Sequence, residues 1–255
     1  MSNTLAGKIA LVTGGSRNIG KDSAIALAKK GADVVITYIN SSEAAAATVQ
    51  ELQALGVRAA SIRVNLTGTA ELDRLVSEFT AIAKSWGRDS FDILINNAGT
   101  MRLATLDKVT EEDLDANFLT NYKSVFFLTQ KLMGMLADHG RIVNLGSGTA
   151  RIAFAPLVAY GPIKAALQSF TLYAASFLGK RGITVNAVAP GGLDDDFNAG
   201  LFKAMPPARD YITSNTAVGR IGMPQDVAGV VAFLCTPEAS FISGAIINID
   251  GGYHL

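Results

Sequence analysis

Short apolar runs alternate along the chain with longer stretches in which apolar residues recur at helical spacing. The short runs are rich in valine and isoleucine and hold few polar residues, which is typical of strands buried on both faces. The pattern predicts seven strands, at residues 8–13, 33–38, 58–64, 92–95, 141–145, 184–188 and 245–249. It predicts helices at residues 19–30, 42–55, 69–86, 110–137, 158–180 and 224–234.

This order of elements predicts an α/β fold, a doubly wound parallel sheet of seven strands with helices on both faces. A chain of 255 residues is long enough for one large domain or two small ones. No linker, repeat or low-complexity stretch divides the sequence, so we expect one domain over residues 1–255. The stretch 191–215 is predicted to be irregular because it holds a Gly-Gly and a Pro-Pro pair.

The composition argues against several classes of function. Lysine plus arginine and aspartate plus glutamate both number 22, so no net charge attracts a nucleic acid or a membrane surface. One cysteine (Cys235) and two histidines argue against an internal disulfide and against a metal site. The chain shows neither a secretory signal pattern nor an apolar run of the ~18 residues that a membrane span needs. We therefore expect a cytoplasmic protein without a metal.

A glycine-rich loop, residues 13–20, lies between the first predicted strand and the first predicted helix. In a doubly wound fold, this is where the pyrophosphate of a dinucleotide lies against a helix N-terminus. Gly14 would permit the tight turn, and Gly20 would permit close packing of the helix on the strand. The candidate cofactor contacts in this loop are Gly14, Ser16, Arg17, Asn18, Ile19 and Gly20.

The end of the second predicted strand indicates which dinucleotide binds. A carboxylate there would hold the ribose hydroxyls of NAD, but the chain has none before Glu43. It has instead polar residues that we expect to contact the cofactor, namely Tyr38, Asn40, Ser41 and Ser42. Arg17 could pair with the 2′-phosphate of NADP. Ser41 or Ser42 could also cap the next helix, and the two roles are compatible. The sequence favours NADP(H) over NAD(H).

Tyr160 and Lys164 are four residues apart in a predicted helix, so their side chains should share one helix face. A nearby ammonium group favours the phenolate and lowers the pKa of a tyrosine. The spacing therefore indicates a candidate acid/base pair for proton transfer.

These motifs, taken in order along the chain, resemble the short-chain dehydrogenase/reductase family, in particular its single-domain, 3-oxoacyl carrier-protein reductase-like ketoreductases. The shared motifs are the loop at 13–20, Asn96-Asn97-Ala98-Gly99, Asn121, Ser147, Tyr160 with Lys164, Asn186 to Gly191, Ser243-Gly244 and Asp250-Gly251-Gly252. The resemblance covers essentially the whole chain and implies a Rossmann fold. It implies an oxidoreductase that transfers a hydride between NADP(H) and a ketone or a secondary alcohol.

The resemblance also implies a role for each catalytic residue. Tyr160 would exchange a proton with the carbonyl oxygen, and Ser147 would hydrogen-bond the same oxygen. Lys164 would lower the pKa of Tyr160 and hold the nicotinamide ribose, and Asn121 would hold a water that continues the proton relay. Further cofactor contacts would come from Asn65, Leu66, Asn97, Ala98, Gly99, Tyr160, Lys164, Pro190, Gly191, Gly192 and Leu193. Taken alone, Asn121 could instead bend its helix and Ser147 could be a turn residue.

The chain departs from the family pattern at two positions. Asn18 replaces the middle glycine of the loop, where its tolerance of left-handed backbone should preserve the turn. Asp195 replaces the threonine that follows the Pro-Gly turn and contacts the cofactor carboxamide. A carboxylate at that point would favour the positively charged oxidised cofactor.

The substrate pocket should form around the reacting carbonyl, with residues 191–215 as a mobile lid. Its predicted lining is Met101, Arg102, Leu103, Gly148, Thr149, Ile152, Phe154, Leu193, Phe197, Leu201, Phe202 and Met205. The apolar residues of the lid could equally form a core stripe.

The resemblance implies a homotetramer, with a dimer as the alternative. A different class, an NADP(H)-binding redox sensor with weak catalysis, remains open. The spacing of Tyr160 and Lys164 and the chain length speak against enoyl reduction or epimerisation.

Overall fold

A computed structural model describes residues 3–255, so the part of the predicted domain formed by Met1 and Ser2 lies outside the described residues. Seven strands form one all-parallel sheet in the order β3-β2-β1-β4-β5-β6-β7. They are β1 Ile9–Val12, β2 Asp33–Tyr38, β3 Ala59–Arg63, β4 Phe91–Asn96, β5 Leu136–Leu145, β6 Thr184–Pro190 and β7 Ile246–Ile249. The fold is the predicted doubly wound α/β sheet, and the order reverses direction next to β1.

Nine α-helices connect or follow these strands within the described residues. They are α1 Asn18–Ala28, α2 Ser42–Ala54, α3 Thr69–Ser85, α4 Glu111–Phe118, α5 Ser124–Leu132, α6 Gly161–Leu178, α7 Ala199–Ala204, α8 Ala208–Ser214 and α9 Pro224–Leu234. In the described part of the chain, none of these helices has the length and apolar character needed to cross a membrane.

The sheet separates two apolar cores, and successive residues of one strand point into different cores. In β1, Ala10 and Val12 pack in a core with helices α1 and α9 on one face. Ile9 and Leu11 pack on the other face, together with Phe79 of α3. All four strand residues are fully buried. Because both faces are covered, the strand sequences are continuous apolar runs rather than alternating ones, and this is why the sequence could predict them.

One predicted helix is wrong in its extent. The stretch 110–137 begins as expected, since Thr110 accepts a hydrogen bond from the backbone N–H of Asp113 at 3.2 Å and caps α4. A π-helical turn at Leu119–Lys123 then separates α4 from α5. α5 ends at Leu132, and β5 begins at Leu136 instead of 141. The early part of β5 is held by its pairing with Phe91 of β4, a long-range contact that local periodicity does not reveal.

The stretch 191–215 was predicted to be irregular, but the structure places two short helices, α7 and α8, inside it. Each is only about two turns long, so neither carries a helical period long enough to recognise. Leu201 of α7 and Ile212 of α8 are buried under these turns. The segment therefore has an ordered apolar underside that covers the carboxyl edge of the sheet.

Candidate active site

A single cavity of about 720 Å³ opens along the carboxyl edge of the sheet, where a doubly wound fold binds its ligand. One end is walled by the turn between β1 and α1. The other end is walled by the segment that follows β6 and by the end of the chain. The loops after β2, β3, β4 and β5 line the space between.

The glycine turn after β1 is fixed by close packing. Gly14 has a φ of +65°, in the left-handed region that glycine adopts without cost. A Cβ atom on Gly20 would lie 2.2 Å from the carbonyl oxygen of Gly14, so α1 approaches the turn as closely as a glycine allows. The side-chain amide of Asn97 donates to the carbonyls of Thr13 and Gly14 at 2.8 and 3.1 Å. The roles predicted for Gly14 and Gly20 in the turn are confirmed.

The N-terminus of α1 forms one end of the cavity. Ser16, Arg17, Asn18 and Ile19 all line it. The N-cap residue Arg17 makes no side-chain hydrogen bond to the first turn of the helix, which leaves the N-terminal N–H groups of α1 without a capping acceptor. Asn18 has a φ of +51°, so it adopts the left-handed backbone that its side chain was expected to tolerate. These features fit a dinucleotide pyrophosphate.

The end of β2 gives a mixed result for the predicted cofactor contacts. Tyr38 and Asn40 line the cavity, as do Asn65 and Leu66 after β3. Ser41 and Ser42 do not line it, contrary to the prediction. The Ser41 hydroxyl accepts a hydrogen bond from the backbone N–H of Ala44 at 3.4 Å and caps α2. The capping role predicted for this serine is observed.

Tyr160, Ser147 and Lys164 meet near the middle of the cavity. Tyr160 is the N-cap residue of α6, and Lys164 lies one turn later, so the predicted helix face is confirmed. The Lys164 Nζ atom is 5.5 Å from the centre of the Tyr160 ring. The Ser147 hydroxyl lies at the end of β5, 2.8 Å from the Thr149 hydroxyl. Each of the three side chains is more than nine-tenths buried.

Burial determines the charge state of this group. It raises the pKa of the Tyr160 phenol, and interaction with the Ser147 hydroxyl acts in the opposite direction but is weaker. Burial lowers the pKa of Lys164 to about 7. Burial is the largest influence on both groups, and the lowering of the Tyr160 pKa by Lys164 stays a prediction. The Lys164 Nζ atom donates a hydrogen bond to the Leu145 carbonyl at 2.7 Å.

Asn121 lies behind the cavity and not on its wall. It is fully buried in the π-helical turn, and its amide donates to the carbonyls of Thr100 and Asn117 at 2.8 and 2.9 Å. Its Oδ1 atom has no hydrogen-bond donor among the described residues. A Cβ atom on Gly99 would lie 2.7 Å from this oxygen and 3.8 Å from Lys164 Nζ. A buried acceptor so placed suits a water molecule between Asn121 and Lys164.

The segment after β6 closes the same cavity. Pro190, Gly191, Gly192 and Leu193 line it, and so does Asp195. Asp195 accepts hydrogen bonds from the backbone N–H and the side-chain amide of Asn198, at 3.0 and 2.8 Å. Burial raises the pKa of the Asp195 carboxyl. Apart from Ser41 and Ser42, every residue predicted to contact the cofactor lines this cavity, Asn97, Ala98 and Gly99 included, so the chain fits a bound dinucleotide.

The predicted substrate residues are mostly brought together. Those that line the cavity are Met101, Arg102, Gly148, Thr149, Ile152, Phe154, Leu193, Phe197 and Leu201. Leu103, Phe202 and Met205 do not. The Phe202 ring lies instead against the Arg209 guanidinium, 6.0 Å from its carbon. Leu193 and Leu201 line the cavity and are also buried. These two residues of the segment 191–215 therefore have both proposed roles, as pocket lining and as core.

The polar side chains of the cavity wall that sequence reasoning missed include those of Tyr211, Tyr253 and His254. Tyr211 is on α8, which was not predicted. Tyr253 and His254 reach the cavity because Tyr253 pairs with Thr216 in an antiparallel bridge. No local sequence signal reports such a pairing. In the described part of the chain, no group of three histidine, cysteine or acidic side chains is arranged to hold a metal ion.

Comparison with known proteins gives matches over nearly the whole chain. A family model described as enoyl-(acyl carrier protein) reductase matches residues 14–254. The hydroxynaphthalene reductase-like protein Arp2 of Metarhizium brunneum is 38% identical over 260 residues, which cover 98% of this chain and 96% of that protein.

Two solved structures share the fold. A short-chain dehydrogenase from Burkholderia cenocepacia in complex with NADP is 40% identical, with a TM-score of 0.90 over 99% of this chain and 100% of that one. The angucycline C-6 ketoreductase LanV with bound NADP is 37% identical, with a TM-score of 0.94 over 100% of this chain and 98% of that one. A second structure of LanV holds NADP and rabelomycin.

Proposed function

Because the chain belongs to the short-chain dehydrogenase/reductase family, we propose that it is an NADPH-dependent ketoreductase that also catalyses the reverse alcohol oxidation. One observation carries the proposal. A single cavity joins the glycine turn at the N-terminus of α1 to the buried group of Ser147, Tyr160 and Lys164. A dinucleotide and a small ketone therefore have one continuous space in which to meet.

Each of the buried polar residues would have a separate role in carbonyl reduction. Bound NADPH would supply the hydride. Tyr160 would supply the proton, since its raised pKa keeps the phenol protonated at neutral pH. The Ser147 hydroxyl would donate to the same oxygen and stabilise its developing charge. Lys164 would hold the ribose, and a water on Asn121 Oδ1 would return a proton to Lys164 and Tyr160.

The cofactor preference rests on the end of the cavity near β2. Tyr38 and Asn40 line it, and neither carries a carboxylate that would repel a 2′-phosphate. Arg17 lies at the same end, exposed and without an ion pair among the described residues. A charged donor in this position suits a phosphate better than a hydroxyl. Two of the similar structures hold NADP, which agrees with this choice.

The substrate is proposed to be a flat aromatic or fused-ring ketone. The rings of Phe154, Phe197, Tyr211 and Tyr253 line the substrate half of the cavity, and aromatic walls pack well against planar ligands. The Phe197 ring lies 6.3 Å from that of Tyr160, next to the proton donor. A curated relative is named for a hydroxynaphthalene, a hydroxylated fused-ring compound.

Turnover tests this function. NADPH and NADH are each supplied with a panel of aromatic and aliphatic ketones, and cofactor absorbance is followed at fixed enzyme concentration. Consumption of NADPH with an aromatic ketone supports the reductase. Tight NADPH binding without turnover on any ketone would favour the redox-sensing alternative. Enones belong in the panel, because the matching family model is described by enoyl reduction. Reduction of an enone but of no ketone would overturn the proposal.

The same proposal includes a lid and an assembly. Residues 191–215 would close over the substrate as a lid on a single catalytic domain. Large apolar side chains are exposed on α4, on α6 and in the loop before β7, including Phe118, Phe177 and Phe241 at 41%, 72% and 103% relative exposure. Such faces suit a homotetramer or a dimer, which the molar mass measured by light scattering would distinguish. A monomer would overturn the assembly.

We propose a cytoplasmic location, which fits the single, buried and unpaired Cys235.

A further inference from the structure

The end of the chain is attached to the segment that follows α8. The backbone N–H of His254 donates to the Asn215 carbonyl at 3.0 Å. The N–H groups of Ala217 and Val218 donate back to the Gly252 and Gly251 carbonyls, at 3.2 and 3.1 Å. These three hydrogen bonds fix the tail against the cavity. They explain why Tyr253 and His254 form part of its wall.

His254 meets Tyr211 of α8 across the rim of the substrate half. The Tyr211 hydroxyl lies 3.5 Å from His254 Nε2, and the two ring centres are 5.9 Å apart. The Tyr253 ring packs edge-on against the His254 ring at 4.3 Å. The His254 backbone has a φ of +54°, in a region that few residues other than glycine adopt. The imidazole is thus held by its backbone, by Tyr253 and by Tyr211.

This pair adds two polar groups to a proposed substrate space in which Phe154, Phe197 and Leu201 contribute apolar surface. A tyrosine hydroxyl and an imidazole each donate and accept hydrogen bonds. Both side chains are on the exposed rim, and the contact between them is long for a hydrogen bond. The two polar groups are therefore available to a ligand and are not fully used by one another.

We propose that Tyr211 and His254 form a second recognition point for the substrate, which binds a neutral hydroxyl group remote from the carbonyl that reacts. This inference rests on the proposed function, because it assigns the polar substituent of the aromatic ketone reduced at Tyr160. The pair suits a hydroxyl because a hydroxyl can donate to one partner and accept from the other. The site would select hydroxylated ring systems over plain ones.

Steady-state kinetics on two matched ketones tests the assignment. The two ketones are α-tetralone and the derivative with one hydroxyl on the aromatic ring that the wild-type enzyme reduces best, with NADPH saturating. Tyr211→Phe removes only the hydroxyl of an exposed side chain and keeps the ring. His254→Gly removes the imidazole, and glycine adopts the observed backbone without strain. Leu255→Ala is the control, because Leu255 belongs to the same tail, is 97% exposed and does not line the cavity.

Each test variant should raise KM for the best hydroxylated ketone by about 5-fold to 10-fold, the factor that one lost hydrogen bond gives. KM for plain α-tetralone and kcat for both ketones should stay within about 2-fold, and Leu255→Ala should change nothing. Equal changes for both ketones, or none, would overturn the recognition point while the reductase function stands. If the wild-type enzyme reduces neither ketone and no other aromatic ketone, the proposed function fails, and the recognition point fails with it.

Discussion

The Lys164 ammonium nitrogen lies 5.5 Å from the centre of the Tyr160 ring, yet it donates its hydrogen bond to the Leu145 carbonyl and not to the phenol. Both groups are buried, and burial disfavours the charged form of each. The free site therefore holds a protonated tyrosine beside a lysine whose pKa is about 7. A protonated tyrosine is what proton donation to a carbonyl requires. The lowered pKa of Lys164 also makes the stability of the protein depend on pH.

The first prediction concerns the pH dependence of stability. The pKa of Lys164 is about 7 in the folded protein, against the usual 10.5. Above about pH 7, the unfolded chain therefore binds a proton that the folded chain has lost, so the free energy of unfolding should rise with pH. The contribution is at most about 1.4 kcal/mol per pH unit. Lys164→Met should lack it.

Denaturant unfolding of both proteins without cofactor, from about pH 7 to about pH 9, measures this difference. Cys235 and Tyr160 have raised pKa values and act in the opposite direction at higher pH, but both proteins share them. The difference between the two curves isolates Lys164. If the two proteins gave parallel curves, Lys164 would keep its ordinary pKa in the folded state.

Gly20→Ala should disrupt the cofactor turn. A Cβ atom at this position would lie 2.2 Å from the Gly14 carbonyl oxygen and 2.4 Å from the Asn97 amide nitrogen, so α1 must move. We expect a loss of about 1–3 kcal/mol in stability and weaker NADPH binding. Gly229→Ala is the control, since that glycine is inside α9 with nothing within 4 Å of an added Cβ, and alanine there should stabilise by about 0.5–1 kcal/mol. Unchanged NADPH affinity in Gly20→Ala would show that the turn does not bind the cofactor.

Arg17→Ala should separate the two dinucleotides. Arg17 lines the cavity at the end where Tyr38 and Asn40 replace a carboxylate. Loss of a charged contact to the 2′-phosphate should weaken NADPH binding roughly tenfold or more. NADH lacks this phosphate, so its affinity should barely change and serves as the internal control. Titration of both cofactors by fluorescence gives the two dissociation constants. An equal loss for both would assign Arg17 to the pyrophosphate instead.

Asp195→Thr should change the preference between oxidised and reduced cofactor. The carboxyl lines the cavity after the Pro190-Gly191 turn and is half-buried, where a negative charge would favour the positively charged NADP⁺. Threonine removes that charge, so the ratio of the NADP⁺ to the NADPH dissociation constant should rise a few-fold. Asp195→Asn is a matched control for the hydrogen bonds to Asn198, and it should shift the ratio in the same direction. A ratio that stays constant in both variants excludes the charge effect.

The central strands β1, β2, β4 and β6 could be predicted from the sequence because they are buried on both faces. β2 has the predicted bounds at Asp33–Tyr38, and α9 has them at Pro224–Leu234, where a proline begins the helix. The first part of β5 could not be predicted. Residues 136–140 include Asp138 and Gly140, and of these five only Leu136 pairs with β4, before a shift of register.

The candidate site likewise holds residues that could be assigned from the sequence and residues that could not. Gly14, Asn18 and Gly20 could be assigned from residue type and position. The turn needs left-handed backbone at the first two and close packing at the third. The direction of the Tyr160 pKa shift could not be assigned in this way, since it depends on how deeply the phenol is buried and on its contact with Ser147. Tyr211 and His254 were missed because their meeting depends on the attachment of the tail to Asn215.

The role of Tyr160 as proton donor is tested most directly by Tyr160→Phe, measured as NADPH consumption with the best aromatic ketone of the panel. Tyr173→Phe is the matched control, since it removes a hydroxyl from a ring on the same helix that is 75% exposed. Tyr160→Phe should lower kcat by about 10²–10⁴-fold with NADPH affinity retained, and the control should match wild type. A Tyr160→Phe enzyme that keeps wild-type turnover would contradict the assignment of the phenol as the proton donor.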